Sequence, residues 1–222
     1  MVVELISVGT ELLLGNIVNT NAQFLAEKCA SLGLSMYHQV TVGDNRERLA
    51  EDISTALKRA DIIILTGGLG PTEDDITKEV CADVMGFKLV DDPHTRERIE
   101  AYFKDGIYPV ITDNNWKQAL VPEGCKVLDN HNGTAPGLIM EKDGKTAILL
   151  PGPFNELKPL FLDEVSPCLQ KLQPEVIRSQ MIKICGHGES QVEDQIKDLI
   201  AAQTNPTIAP YAKTAEVHLR VT

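Results

Sequence analysis

Short apolar runs alternate with segments of helical periodicity in the first part of the chain. Strands are predicted at Val2 to Val8, Leu34 to Val42 and Asp61 to Thr66, where Val, Ile and Leu cluster. Apolar residues at helical spacing between these runs predict helices from about Asn21 to Ser31 and across Leu49 to Ala60. This alternation, with apolar central strands, is typical of an α/β domain whose parallel sheet is covered by helices.

The pattern continues with helices and a hairpin. Helices are predicted at Asp75 to Met85, at His94 to Lys104 and from Pro153 to about Leu172, and strands at Gly137 to Met140 and Thr146 to Leu150. The turn signal Lys142-Asp143-Gly144-Lys145 lies between these two strands and indicates a hairpin.

The last 48 residues predict a second, smaller α+β domain. A strand at Val176 to Cys185 precedes a helix at Ser190 to Ala201 and a strand at Ala215 to Val221, and Ser190 with Glu193 has the spacing of a capping box. We therefore predict domains at residues 1–172 and 175–222, and we expect the second to be incomplete because the sequence stops within a predicted strand.

Charge and cysteine content narrow the class of protein. The formal charge is −11, with 32 acidic against 21 basic residues, and no basic cluster favours nucleic-acid binding. Five cysteines without a C-x-x-C pair indicate neither a disulfide framework nor a thiolate zinc site, which fits the cytoplasm. No signal peptide or membrane span is predicted, so a membrane is not an expected partner. The acidic charge likewise makes nucleic acid an unexpected partner.

The glycine-rich segment Gly67-Gly68-Leu69-Gly70 is the strongest candidate for binding chemistry. It follows a buried predicted strand and precedes a predicted helix, so its backbone N–H groups are placed to bind a phosphate. A tight turn with Thr72 and Asp75 as helix caps explains the same pattern equally well. The segment is neither a Walker loop nor a complete dinucleotide fingerprint.

Acidic residues follow the carboxyl ends of several predicted strands. In a parallel sheet these loops meet at one edge, which would gather Glu11, Asp44, Asp74, Asp75 and Glu156 around a glycine-lined pocket. Such carboxylates suit a hard divalent cation, although each one alone is more often a helix cap or a solvated side chain. Lys117 has the reach to contact a phosphate, or it is an ordinary surface lysine.

Several motifs occur together and in order. They are Gly9-Thr10-Glu11-Leu12-Leu13-Leu14-Gly15, Asn19-Thr20-Asn21, Val42-Gly43-Asp44-Asn45, Thr66 to Thr77, Asn132-Gly133-Thr134-Ala135-Pro136-Gly137 and Leu150-Pro151-Gly152-Pro153. This set closely resembles the competence/damage-inducible CinA family over essentially the whole chain.

The resemblance implies a fold and a set of site residues. The first domain would be a molybdopterin-binding-like three-layer sandwich with a mostly parallel central sheet, as in MogA, and the second would be KH-like. Asp44 and Asp75 match the functional acids of molybdenum-cofactor relatives and are predicted to be catalytic. Ligand binding is assigned to Thr10, Gly67, Gly68, Gly70, Thr77, Lys117, Asn132, Gly133, Thr134, Pro151 and Gly152. A divalent cation is assigned to Glu11, Asp44, Asp74, Asp75 and Glu156.

Two kinds of departure from the family pattern qualify these roles. Leu69 and Asp74 stand where the molybdenum-cofactor relatives usually have Thr and often have Arg, which counts against direct binding of an anionic pterin. The G-x-x-G loop of KH domains is missing, since Gly186-His187-Gly188-Glu189 is shorter and acidic.

The resemblance also implies an activity. We predict a metal-dependent hydrolase that cleaves ADP-ribose or a related dinucleotide to AMP and ribose 5-phosphate, assisted by Co²⁺, Mg²⁺ or Mn²⁺ and by K⁺. The glycine-loop N–H groups and Lys117 would hold the diphosphate, and the cation would lower the pKa of the attacking water.

Two alternatives remain open at this stage. The first is a pterin- or nucleotide-binding domain without catalysis. The second is a structural partner of the nicotinamide mononucleotide deamidase domain that many family members carry and that this sequence lacks. Relatives form oligomers, so a homodimer is expected.

Overall fold

The computed structural model describes residues 1–104, 110–172 and 179–222. The chain divides into two compact units, Met1–Pro174 and Glu175–Thr222. The strands of the first unit are β1 (Val2–Val8), β2 (Ser35–Val42), β3 (Ile62–Thr66), β4 (Leu89–Asp91), β5 (Leu120–Pro122), β6 (Lys126–Leu128), β7 (Gly137–Lys142) and β8 (Lys145–Leu150). Its helices are α1 (Thr10–Leu13), α2 (Thr20–Ser31), α3 (Arg46–Arg59), α4 (Thr77–Met85), α5 (Pro93–Lys104), a 3₁₀ helix (Asp113–Ala119), α6 (Phe154–Leu160), a π-helical turn (Phe161–Val165) and α7 (Ser166–Leu172).

A six-stranded sheet forms the centre of this unit, in the order β2-β1-β3-β8-β7-β6. Neighbours among β2, β1, β3 and β8 are parallel, whereas β7 is antiparallel to both β8 and β6. The predicted α/β class with a mostly parallel central sheet is therefore confirmed. The strands β4 and β5 pair separately as a small antiparallel ribbon.

Strand β3 carries the core on both faces of the sheet because all five of its residues are buried. Ile63 joins an apolar cluster that includes Ile53 of α3, and Ile64 joins a second cluster that includes Leu25 of α2. Alternate side chains of a strand point to opposite faces, so helices cover this sheet on both sides. The carboxyl end of β3 is thereby held between two packed layers.

One predicted helix boundary is wrong in this unit, and one predicted helix is interrupted. Helix α4 begins at Thr77 rather than Asp75, because the Asp75 N–H donates to the Thr72 carbonyl in a preceding turn. The helix predicted up to Leu172 is interrupted by the π-helical turn, which follows Pro159 in α6. Proline has no N–H to donate to the carbonyl four residues back, which disturbs the regular ladder.

The second unit is a three-stranded antiparallel sheet with one helix. Its elements are β9 (Gln180–Cys185), α8 (Glu189–Ala202), β10 (Ile208–Lys213) and β11 (Glu216–Val221), and the strand order is β10-β11-β9. Its core contains Val192, Val217 and Leu219. A helix packed on an antiparallel sheet matches the small α+β domain predicted from the sequence.

Two local features of this unit differ from the predictions. The start of the predicted strand Val176 to Cys185 lies outside the described residues. Strand β10 was not predicted; it pairs with β11 alone, and this edge position tolerates its Pro210. The predicted Ser190–Glu193 capping box is wrong, since the Gly188 N–H donates to Gln191 Oε1 at 3.2 Å.

Two further observations concern the environment of the chain. All five cysteines are unpaired thiols, and Cys29 and Cys81 are buried. Across the described part of the chain, no helix combines the length and apolar character needed to cross a membrane.

Truncating the central strand should destabilise the first unit strongly. We expect Ile64→Ala to lower the free energy of unfolding by about 2–5 kcal/mol, because the side chain is fully buried and its loss leaves a cavity. Val18→Ala, at an 81% exposed position, should change it by less than about 0.5 kcal/mol. Urea unfolding followed by the fluorescence of Trp116, the only tryptophan, measures both. Equal losses would contradict the core assignment.

Candidate functional site

A cavity of about 750 Å³ lies at the carboxyl ends of the parallel strands β1, β3 and β8. The loops after these strands line it, together with residues after β2 and in the segment before β7. The predicted site residues that line the cavity are Glu11, Asp44, Gly67, Gly68, Gly70, Asp74, Asp75, Gly133, Thr134, Pro151, Gly152 and Glu156. Four predicted residues, Thr10, Thr77, Lys117 and Asn132, are not among its lining residues.

The glycine loop after β3 has backbone donors without partners. The Gly67 N–H donates to the Leu150 carbonyl at 3.1 Å, which continues the pairing of β3 with β8. Within the described residues, the N–H groups of Gly68, Leu69 and Gly70 have no hydrogen-bond acceptor. Consecutive N–H groups in a turn form a concave site for an anion.

Glycine is required at two positions of this loop. Gly67 and Gly68 have φ angles of +91° and +65°, in the left-handed region. A Cβ on Gly67 would overlap the Val8 carbonyl of β1, and one on Gly68 would overlap Thr77 Oγ1 of α4. The loop is therefore clamped between the central sheet and the start of α4, where no other side chain fits.

Hydrogen bonds from two threonines hold Asp44, Asp74 and Asp75. Asp44 accepts from the Thr10 N–H at 2.9 Å and from its hydroxyl at 2.8 Å. Asp75 accepts from the Thr72 N–H at 3.0 Å, and the Thr72 hydroxyl also donates to Asp74, which lowers the pKa of Asp74. The Thr72–Asp75 bonds are those of a tight turn, as one alternative from the sequence expected, but neither residue caps α4, whose N-cap is Ile76.

The five carboxylates line one cavity without forming a ready ligand shell. Within the described ranges, no group of three or more His, Cys, Asp or Glu side chains is arranged to hold a metal ion. The predicted cation site thus stays a prediction. Glu156 differs from the other acids, because burial raises its pKa although Asn130 donates to its carboxylate.

Lys117 braces the loop instead of reaching into the cavity. Its ammonium group donates to the carbonyls of Thr72 and Asp75, both at 2.6 Å. Behind it, the buried Lys78 donates to the Lys117 carbonyl at 2.6 Å, and burial lowers the pKa of Lys78. The predicted contact between Lys117 and a phosphate is therefore replaced by a structural role.

The other predicted residues outside the cavity lining also support it. Thr10 holds Asp44, and Thr77 Oγ1 is buried under Gly68 without a partner. Asn132 donates to the Asn155 carbonyl at 3.0 Å. That carbonyl is available because the residue four positions later is Pro159, which has no N–H.

Sequence reasoning missed several residues that line the cavity. Gln118 is buried, donates through Nε2 to the Leu69 carbonyl at 3.3 Å, and has no partner for Oε1 in the described structure. Tyr102 and Phe154 add aromatic surface, and Asn21 donates to the Gly152 carbonyl at 2.7 Å. The Asn19-Thr20-Asn21 motif was a usable signal for Asn21, whereas Tyr102 lies in a helix whose sequence is mostly polar.

Comparison with known proteins supports a relationship over the whole chain. The family model described as "Probable molybdopterin binding domain" matches residues 4–171, and that of the damage-inducible protein CinA KH domain matches residues 179–222. Competence-damage inducible proteins of Caldicellulosiruptor bescii and Clostridium beijerinckii are 57% and 53% identical over 222 residues. Each alignment covers 100% of this chain and 54% of the relative, so the chain spans about half the length of these proteins.

Solved structures agree with this relationship. The protein CinA from Thermoplasma acidophilum superposes with a TM-score of 0.70 at 32% identity, covering 76% of this chain and 99% of that one. A molybdenum cofactor biosynthesis protein from Corynebacterium diphtheriae has a TM-score of 0.52 at 17% identity, with coverage of 80% and 99%, which shows the fold alone.

Fold and cavity together define a protein with a molybdopterin-binding-type α/β domain, followed by a KH domain. The chain belongs to the competence/damage-inducible CinA family.

The predicted ADP-ribose pyrophosphatase activity is wrong. The family model that matches residues 4–171 describes a molybdopterin-binding domain. Neither the related proteins nor the CinA structure supports a pyrophosphatase. The ammonium group expected to hold the diphosphate is bonded to loop carbonyls.

The raised pKa of Glu156 predicts a pH-dependent stability difference. The carboxyl loses its proton at a higher pH in the folded than in the unfolded chain, so its ionisation disfavours the folded state. We expect Glu156→Gln to gain stability relative to the parent as pH rises from about 4, the ordinary value for glutamate, through the raised pKa.

Urea unfolding at a series of pH values measures this difference. Glu123→Gln serves as the control, because Glu123 is an exposed acid outside the cavity and has no ion pair among the described residues. A difference between Glu156→Gln and the parent that is the same at every pH would contradict the assignment.

Proposed function

We propose that the first domain binds a small phosphate-bearing pterin or nucleotide in the cavity after β3 and does not hydrolyse it. The observation that carries this proposal is the run of three backbone N–H groups, at Gly68, Leu69 and Gly70, without acceptors in the described structure. N–H groups that line a cavity without a protein acceptor are free to donate to a ligand, and a phosphate supplies several strong acceptor oxygens.

The remaining cavity suits a planar ring attached to that phosphate. Its volume of about 750 Å³ lies within the range of small-molecule sites, and Ile17, Tyr102 and Phe154 supply apolar surface. Gln118 holds the loop beside this surface, since its side chain is buried and its Nε2 donates to the Leu69 carbonyl at 3.3 Å.

Charge is the main obstacle to binding an anion here. Five carboxylates and no Lys, Arg or His line the cavity in the part of the chain that the structure describes. We propose that a divalent cation accompanies the phosphate, held by phosphate oxygens together with one or two carboxylates, as Mg²⁺ often is. The cation would neutralise charge on the phosphate. The predicted roles of Co²⁺, Mn²⁺ and K⁺ stay predictions.

A second candidate function concerns the longer relatives. Because the chain matches 54% of their length, we propose that it also serves as the partner of their remaining half. The nicotinamide mononucleotide deamidase activity, and with it the amidohydrolase character of the family, would belong to that half. Unpaired thiols fit a cytoplasmic protein, and the homodimer stays a prediction.

Filling the glycine cradle should weaken ligand binding. We expect Gly68→Ala to weaken the binding of guanosine 5′-monophosphate with Mg²⁺ by at least about tenfold, because the new Cβ meets Thr77 Oγ1 and displaces the loop. Isothermal titration calorimetry measures the affinity, and phosphate release measures hydrolysis, which should be absent. Gly144→Ala is the matched control, with a similar φ of +74° but open space around it.

Guanosine without the phosphate should bind at least about tenfold more weakly than the monophosphate. If neither purine nor pterin phosphates bind the parent protein, the proposed function is wrong. If the nucleoside binds as tightly as the nucleotide, the phosphate cradle is wrong.

Removing one carboxylate tests the role of charge. In the absence of a divalent cation, we expect Asp74→Asn to strengthen binding of guanosine 5′-monophosphate severalfold, because it removes a like charge near the phosphate. With Mg²⁺ the variant should gain less from the cation than the parent does. Asp143→Asn, in the β7–β8 turn outside the cavity, is the control. Identical Mg²⁺ dependence in parent and variant would contradict an Asp74 contribution.

A further inference from the structure

Glu156 is a firmly positioned acceptor in the cavity. Its Oε2 accepts from Asn130 Nδ2 at 2.7 Å. Asn130 is itself buried and fixed, since Nδ2 also donates to the Ala135 carbonyl and Oδ1 accepts from the Asn132 N–H. The carboxylate lies against Gly133, where a Cβ would overlap it.

This carboxylate lacks the partners that the other acids have. Asp44 and Asp75 each accept from both the N–H and the hydroxyl of a threonine, whereas Glu156 has one neutral amide donor. Over the described residues, no Lys, Arg or His nitrogen lies within 4 Å of it, and Oε1 has no donor. Because the Glu156 carboxylate is half-buried and has no cationic partner among the described residues, it is suited to accept hydrogen bonds from a neutral ligand group.

We infer that Glu156 selects a ring with an adjacent N–H and amino group, the 2-amino-4-oxopyrimidine edge that pterin and guanine share. This inference rests on the proposed function and specifies its ligand. The two carboxylate oxygens can accept two parallel N–H bonds from that edge. Adenine presents an amino group beside a ring nitrogen that is itself an acceptor, so its lone pair would face the carboxylate.

The neighbouring residues fit a ring held in this way. Phe154 lines the same cavity, is 39% exposed and adds aromatic surface to it, while its ring also packs against Phe24 at 5.5 Å between centroids and lies 5.9 Å from the Lys158 ammonium group. Stacking of bases on aromatic side chains is tolerant of the base. Selection among rings therefore depends on the hydrogen bonds, which the Glu156 carboxylate supplies.

The test compares nucleotides that differ by one group. Isothermal titration calorimetry on the full 222-residue chain with Mg²⁺ compares guanosine, inosine and adenosine 5′-monophosphates. Inosine monophosphate keeps the ring N–H and lacks only the 2-amino group. We expect the guanosine nucleotide to bind at least about tenfold more tightly than the inosine nucleotide, since a hydrogen bond to a charged group is lost.

Variants identify the residue responsible. Glu156→Gln places an amide donor against the ring donors and should reduce the guanosine-to-inosine ratio to within about threefold, with adenosine monophosphate bound no more weakly than before. Glu123→Gln should keep the parent ratio. Circular dichroism shows whether each variant is folded, and the comparison in the parent protein needs no variant.

The outcomes separate the two proposals. Equal binding of guanosine and inosine monophosphates by the parent, or a ratio that survives in a folded Glu156→Gln protein, overturns the inference and leaves phosphate binding intact. Failure of all three nucleotides and of pterin phosphates to bind overturns the proposed function and this inference with it.

Discussion

The close approach of the Gly67–Gly68 turn to strand β1 is the constraint on which the site depends. The Gly67 backbone passes so near the Val8 carbonyl that a Cβ would overlap it, and the φ angles of both glycines are left-handed. This geometry ends β3 and directs the chain toward α4. It also leaves the N–H groups of Gly68, Leu69 and Gly70 without acceptors in the described structure. The same packing that closes the core thus creates the proposed anion cradle.

The supports around this turn come from distant parts of the sequence. Lys117 donates to two carbonyls of the segment after the loop, and Asn21 donates to the Gly152 carbonyl. Buried Gln118 donates to the Leu69 carbonyl. Each is a polar side chain bonded to a backbone group, which rigidifies loops that have no sheet or helix partner of their own. A preformed cavity loses less conformational entropy when a ligand binds.

The acidic residues that line the cavity do not by themselves define a reaction. An acidic rim with glycine donors suggested a metal-dependent hydrolase, yet hydrogen bonds from Thr10 and Thr72 account for the positions of Asp44 and Asp75. The relatives support a molybdopterin-binding domain. Among the five carboxylates that line the cavity, Glu156 alone combines partial burial, a raised pKa and a neutral partner, Asn130. Recognition of a ring edge uses such a carboxylate without requiring it to react.

The sequence by itself determined five of the six strands of the central sheet, all but β6, together with most of the helices and the loops that meet at one edge. Apolar runs such as Asp61 to Thr66 and the hairpin signal at Asp143-Gly144 are local, so periodicity and turn chemistry reveal them. Only the tertiary structure decided that Lys117 braces the loop, that Gln118 reaches it and that Glu156 has no cationic neighbour among the described residues. Those properties depend on contacts between residues tens of positions apart, and no local pattern specifies such contacts.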